Sequence, residues 1–269
     1  MPALAHRLAL LVALAVPAAA AAPPALVRAI EHLMAQKSYS WETINSDPGP
    51  VAQQFETRRG TVVTIDRNLS PNVRGRLDRQ GDMLIQREWV DGLRLDTIIG
   101  ADGAVVTHTP EGWLSDREIL TAQADARVNS RTATEHFQWL RRADRPDVRR
   151  PDQELGPLLR GANVDYETTG EGYIARIRSR AGDPAKPNDD EAEPGTSVTL
   201  VLNLRGGVIR DYEVKIEGIR RATRARVAVP ISEQRIVVIT YLPVSRIEAP
   251  AAALEKLAAV RRPATDRAH

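Results

Sequence analysis

Cysteine is absent from all 269 residues. That single absence excludes disulfides, thiolate metal sites and cysteine nucleophiles. Aromatic residues make up only 4% of the chain, with two phenylalanines, so an apolar interior has to be built mainly from Val, Leu, Ile and Ala. Histidine is scarce as well: after residue 22 only His32, His108, His136 and His269 occur, and no two of them fall at the spacing of a zinc helix. His136, beside Phe137, reads as a helix-surface residue. No G-x-S-x-G elbow, S-x-x-K nucleophile, G-x-x-x-x-G-K loop or strand-borne G-x-G-x-x-G is present. No catalytic residue, metal site or cofactor is therefore expected, and a secreted hydrolase ranks last among the readings. An excess of one charge is lacking too. With 37 basic and 35 acidic side chains the net charge is +2, which argues against a nucleic-acid partner.

Long apolar runs are missing except at the start. Arg7 precedes the short apolar stretch Leu8–Val16, and the small residues Pro17–Ala22 follow. This is the pattern of a cleavable signal peptide over residues 1–21, too short to span a bilayer, with cleavage near Ala20 or Ala21. The expectation is a periplasmic or secreted protein without stable membrane insertion and, lacking cysteine, without a lipid-modified one. The remaining chain can bury a sizeable core without disulfides, as one large β domain or two small ones.

The clearest element present is Thr196–Glu217. Its two arms meet at Gly206-Gly207, a pair suited to a two-residue hairpin turn. Val198, Leu200, Leu202 and Leu204 share one face of the first arm. Tyr212, Val214 and Ile216 line one face of the second, and Asp211, Glu213, Lys215 and Glu217 the other. Tyr212, Val214 and Ile216 are expected to face a covered interior, and Asp211, Glu213, Lys215 and Glu217 to meet water.

Upstream, Leu26, Ile30, Leu33 and Met34 recur at helical spacing within Ala25–Lys37. A strand at Tyr39–Asn45 follows, ended by Ser46–Pro50. Phe55–Arg67 reads as one strand region with Gly60 as a bulge. Arg74–Arg79 and Met83–Val90 form a hairpin with Met83, Ile85 and Trp89 on one side. Asp91-Gly92 turns the chain into Leu93–Ile99, where Leu93, Leu95 and Ile99 face together, and Ala101–Gly103 turns it into Ala104–His108. These strands read as a meander. At Ser115 a capping box with Glu118 opens a helical insert, with segments at Ser115–Ala126, Arg131–Arg142 and Gln153–Arg160. Phe137, Trp139 and Leu140 supply the apolar content of the middle one. The insert, near 115–160, is expected to cover one side of the sheet.

Strands resume at Asn163–Glu167 and Tyr173–Ser179. Arg180–Gly195 reads as an exposed loop; its Asp183, Asp189, Asp190, Glu191 and Glu193 fit no calcium-loop spacing and are expected to be solvated. After the Gly206-Gly207 hairpin, Ala225–Ile231 and Gln234–Leu242 read as a further strand pair. A helix at Ala251–Val260 carries Leu254, Leu257 and Val260, and a polar tail ends the chain. Glu88, Asp96 and Glu213 lie on strands as the carboxylates that glycosidase chemistry would need, although Glu213 belongs to the charged row. Apolar residues occupy both faces of Gln234–Leu242, with Ile236, Val238 and Leu242 opposite Val237, Ile239 and Tyr241. A strand of that kind is expected to be covered on both sides, by helices and by either a second layer or a ligand.

The order of elements resembles the periplasmic lipoprotein-carrier family of secreted bacterial proteins. The similarity rests on Tyr39-Ser40-Trp41, on Glu111-Gly112-Trp113 before the insert, and on the series Val198–Ile216, Arg235–Tyr241 and Ile247-Glu248-Ala249-Pro250. It implies an α+β fold: a single large curved antiparallel sheet, an incomplete β-barrel, covered by helices on its concave side, spanning residues 22–262 with 263–269 as the tail. It also implies a binding or carrier protein for an apolar or lipid ligand. On that reading the cavity candidates are Ile85, Trp89, Leu95, Leu200, Tyr212, Val214 and Ile216. The alternative is an envelope interaction or sensing module that uses the same fold to bind a protein partner.

Overall fold

Alternating strands joined by short turns have one economical arrangement, in which each strand pairs with its sequence neighbour. The computed structural model describes residues 21–45, 52–56, 62–66, 70–128, 139–140, 142–143, 150–159, 164–178, 197–222 and 227–261. The strands are β1 (Tyr39–Asn45), β2 (Ala52–Glu56), β3 (Val62–Asp66), β4 (Asn72–Leu77), β5 (Met83–Glu88), β6 (Arg94–Ile99) and β7 (Val105–Thr109), then β8 (Gly112–Ser115), β9 (Val164–Thr168), β10 (Gly172–Arg178), β11 (Ser197–Arg205), β12 (Val208–Ala222) and β13 (Val227–Thr240). The helices are α1 (Pro24–Met34), α2 (Asp116–Val128), α3 (Pro151–Leu159) and α4 (Ala251–Arg261).

Eleven strands form one antiparallel sheet in the order β8-β7-β6-β5-β4-β1-β13-β12-β11-β10-β9, and the sheet does not close into a barrel. Two meanders build it. One runs outward from β4 to β8; the other runs inward from β9 to β13. Strand β1 lies between them, pairing Trp41 with Gly75 on one side and with Ile239 on the other. Strands β2 and β3 form a separate two-stranded sheet.

At the β11–β12 turn, Gly206 and Gly207 take φ angles of 62° and 81°, the paired positive values that a primed turn requires. Val198, Leu200 and Leu202 face Ile216, Val214 and Tyr212 in register. The register then shifts between Asn203 and Leu204, leaving Arg210 as an extra residue on β12. A close approach explains Gly75: a Cβ there would meet ring atoms of Trp41 at 2.0–2.4 Å, so only glycine lets the indole lie flat across β4.

Register fixes the faces. One face runs across the whole sheet and is dry; it carries Tyr39, Trp41, Leu77, Ile85, Leu95, Leu200, Tyr212, Val237 and Ile239, all buried. Leu26, Ala29, Ile30 and Leu33 of α1 and Leu155 and Leu159 of α3 pack on its β1 and β9–β13 half. Ile119 of α2, together with Trp139, Leu140 and Ala143, packs on the β5–β6 half around Trp89 and Leu95. The described parts of the 115–160 segment that belong to α2 and α3, with residues 139–140 and 142–143, thus pack on this one face. Helix α4 is on the other side, where Ala253 and Leu257 cover Ile98 and Val106. A buried carboxylate, Asp78, accepts the amides of Gln80 and Asp82 at 2.9 and 3.0 Å and that of Ile247 at 2.9 Å, tying the segment before α4 to the β4–β5 turn.

Several expectations are corrected. Phe55–Arg67 is not one strand, because Ala52–Glu56 pairs with Val62–Asp66; the bulge expected at Gly60 lies outside the described residues. The expected pair Ala225–Ile231 and Gln234–Leu242 is one continuous strand, with Val227 opposite Ala222 and Val238 opposite Asp211. Pro230 is tolerated within it because β1 pairs with residues 235–240, which among the described residues leaves that stretch with β12 as its single neighbour in the sheet. Strand β13 also has one dry face rather than two: Val237 and Ile239 are buried, Val238 is half-buried, and Ile236 and Leu242 are exposed. In α1 the buried stripe takes Ala29 in place of Met34; in α4 it is Ala253 and Leu257, with Leu254 and Val260 exposed. The 46–50 turn, Phe137 and the acidic 180–195 loop lie outside the described residues.

Candidate functional site

All seven cavity candidates sit on the dry face. Six are buried and Ile216 is half-buried. They do not form one cluster. Leu200, Tyr212, Val214 and Ile216 pack under α1 and α3; Trp89 and Leu95 pack with α2 and Trp139; Ile85 lies on β5 between Met83 and Arg87. Three strands separate β12 from β5, about 19 Å at the usual strand spacing of about 4.8 Å. Ile85, Leu95, Leu200 and Tyr212 have no accessible surface at all, so protein side chains fill the space around them. The open end of the row is elsewhere. Ile177, Val198 and Ile216 stand in register on β10, β11 and β12 and are all half-buried, whereas the next rung, Ala175, Leu200 and Val214, is sealed.

Polar clasps hold α3 onto this half of the face. The Tyr39 hydroxyl donates to Asp152 Oδ1 at 2.6 Å, while Arg150 Nη2 donates to Asp152 Oδ2 at 2.9 Å. The Tyr212 hydroxyl donates to Glu154 Oε2 at 2.6 Å, and Arg235 from β13 holds the other Glu154 oxygen. Burial, followed by the Asp152 hydrogen bond, pushes the Tyr39 phenol up; burial and the Glu154 charge do the same to Tyr212. Both phenols stay protonated donors. Among the cavity candidates Tyr212 is thus half apolar wall and half latch.

The second half of the dry face contains an unexpected group. Between Ile85 and Trp89, in the same row of β5, stands Arg87, only 3% exposed. Its Nη1 donates to the carbonyl of Arg142 at 2.8 Å and its Nη2 to Thr97 Oγ1 at 3.2 Å. Thr97 in turn shares a 3.0 Å hydrogen bond with Thr107. Among the described residues its Nε has no partner. The guanidinium groups of Arg87 and Arg142 each lie 5.5 Å from the Trp89 ring centroid. Arg142 is paired with Asp91 at 2.5 Å, but no carboxylate among the described residues reaches Arg87. Burial lowers the Arg87 pKa to about 10. Trp139, in the same cluster, also buries an indole N–H with no acceptor among the described residues.

The strand carboxylates are not gathered. Glu88, Asp96 and Glu213 all lie on the wet face: Glu88 pairs across from Arg94, Asp96 accepts from Gln86 at 3.4 Å, and Glu213 accepts from Gln234 at 2.5 Å three strands beyond β4. Glu88, Glu42, Arg74 and Arg94 line a depression of about 70 Å³ there. Among the described residues no group of three His, Asp or Glu is placed to hold a metal, and no helix is long and apolar enough to cross a membrane. No protein-family model matches the sequence, and no curated protein matches it.

Sequence reasoning missed Arg87 and the two clasps. For Arg87 a signal existed, since 85, 87 and 89 share a parity and a charge in that row is anomalous. For the clasps there was none: Tyr39 meets Asp152 across 113 residues and Tyr212 meets Glu154 across 58.

Proposed function

We propose that the chain is a periplasmic or secreted binding or carrier protein of the lipoprotein-carrier half-barrel type. It takes an apolar or lipid ligand onto the dry face of its sheet, without covalent chemistry. In this reading the sheet curls with its dry face inward, and α1, α2 and α3 close the concave side. The observation that supports it best is the half-open rung Ile177–Val198–Ile216 beside a sealed interior, at the edge of the apolar cluster that the clasped helix helps to cover. The arrangement described is then the closed, filled one, and a ligand enters by replacing side chains of the helical cover. A ten-carbon chain gains about 8 kcal/mol from burial at about 0.8 kcal/mol per CH₂, which is set against the cost of opening the helical cover.

Titration with a fluorescent fatty acid tests this. Saturable binding that unlabelled fatty acid displaces, and that Val198→Glu weakens at least tenfold, is the expected result; no binding at micromolar protein would remove the carrier reading. A second reading, a module that binds an envelope protein, draws on one observation. Ile44 and Ile236, 43% and 37% exposed, stand directly opposite each other on the wet face. Ile236→Glu would then abolish partner capture and leave fatty-acid binding intact.

A further inference from the structure

We infer that Arg87 is the anchor for an oxyanion, a carboxylate or a phosphate, carried as the headgroup of the protein's ligand or free in its compartment. A buried guanidinium has five N–H donors and one positive charge, and its burial without a counter-charge is costly. Among the described residues the groups that contact it directly are neutral: a main-chain carbonyl, a threonine hydroxyl and an indole face. One donor, Nε, is left over, and the Trp139 N–H in the same cluster is left over too. Two orphan donors and an unneutralised cation in a dry cluster are complemented by a group that brings several acceptor oxygens and a negative charge. A carboxylate or phosphate bound side-on by Nε and one Nη does both, and it would take the place of the Arg142 carbonyl.

The position supports the same assignment. Arg87 lies between Ile85 and Trp89 and opposite Leu95, in the middle of an apolar row. An amphiphile lying along that row would put its polar end at the one charged residue on it. For the tail, the inference rests on the apolar-ligand reading; for the headgroup it stands on Arg87 alone.

Calorimetric titrations of the folded, full-length protein at neutral pH separate the two. The probes are decanoate, decanol and inorganic phosphate, against wild type, Arg87→Met and Arg87→Lys. The inference predicts that wild type binds decanoate at least tenfold more tightly than decanol and that Arg87→Met erases the difference. Arg87→Lys, which keeps the charge but not the fork, should retain part of it. Equal affinity of wild type for decanoate and decanol overturns the oxyanion anchor and leaves the apolar-ligand reading standing. Phosphate binding that Arg87→Met abolishes, with no binding of either ten-carbon probe, supports the anchor and removes the apolar ligand. No binding of any of the three overturns both. The wild-type comparison decides even if a variant fails to fold.

Discussion

Replacing Arg87 with methionine removes a buried charge and keeps an unbranched chain to fill the space between Ile85 and Trp89. Burial lowers the guanidinium pKa to about 10, roughly two and a half units below its ordinary value, so the charged form carries a burden of about 3 kcal/mol in the folded state at neutral pH. The substitution relieves that burden. Against it stand the loss of the hydrogen bond to the Arg142 carbonyl at 2.8 Å, leaving that oxygen unpaired at about 1–3 kcal/mol, and the loss of the contact with Trp89 at about 1 kcal/mol. Thr97 keeps Thr107 as its partner. The terms nearly cancel, so Arg87→Met should unfold within about 1 kcal/mol of wild type, measured by urea denaturation with far-ultraviolet circular dichroism. Removing one member of a buried ion pair would instead cost about 3–5 kcal/mol. A loss of that size would mean that a counter-charge sits on Arg87 and would refute the reasoning. Decanoate at a hundred times its dissociation constant should stabilise wild type by about 2.7 kcal/mol and the variant by much less.

Other outcomes follow from the packing. Gly75→Ala drives a methyl group into the Trp41 ring and should cost about 1–3 kcal/mol, with altered tryptophan fluorescence; an unchanged denaturation midpoint would show that the indole moves freely. Glu154→Ala leaves the Tyr212 hydroxyl and the Arg235 guanidinium without their partner and should cost about 3–5 kcal/mol, whereas Glu154→Gln should cost less; equal effects of the two would contradict the clasp. Burial pushes Tyr241 up to about 12, and Tyr39 and Tyr212 are raised as well. An unfolded chain releases these protons near pH 10 while the folded one retains them, so stability falls as pH rises from about 10 toward 12. Arg87 acts in the opposite sense over the range above 10, but three phenols outnumber it. Tyr241→Phe should make the alkaline fall shallower, as read from urea midpoints at pH 9.5, 10.5 and 11.5.

Where structure follows from neighbours in sequence, the chain declares it. Gly206-Gly207 with flanking alternation marks the β11–β12 hairpin, and Ser115 with Glu118 marks the start of α2. There Ser115 N donates to Glu118 Oε2 at 2.8 Å and Glu118 N to Ser115 Oγ at 3.3 Å, a reciprocal cap. Polar interruptions mislead in the other direction. Ser232-Glu233 looks like a turn, yet β12 pairs with β13 without a break from Val227 to Val238, and the ladder continues through it. Strand β13 pairs with β1 across about two hundred residues, so its one dry face depends on a partner that no local pattern names. Arg87 is hidden for a related reason. A row is recognised by its apolar members, and Ile85 and Trp89 satisfy the eye before the residue between them is weighed.

A ligand carried from the cell should be visible by native mass spectrometry of protein purified from an expressing bacterial host without detergent. Discrete adducts of lipid mass, removed by organic extraction and competed away by added decanoate, are the expected result. A spectrum showing only the bare polypeptide, unchanged when decanoate is added in excess to the folded protein, would contradict the carrier reading.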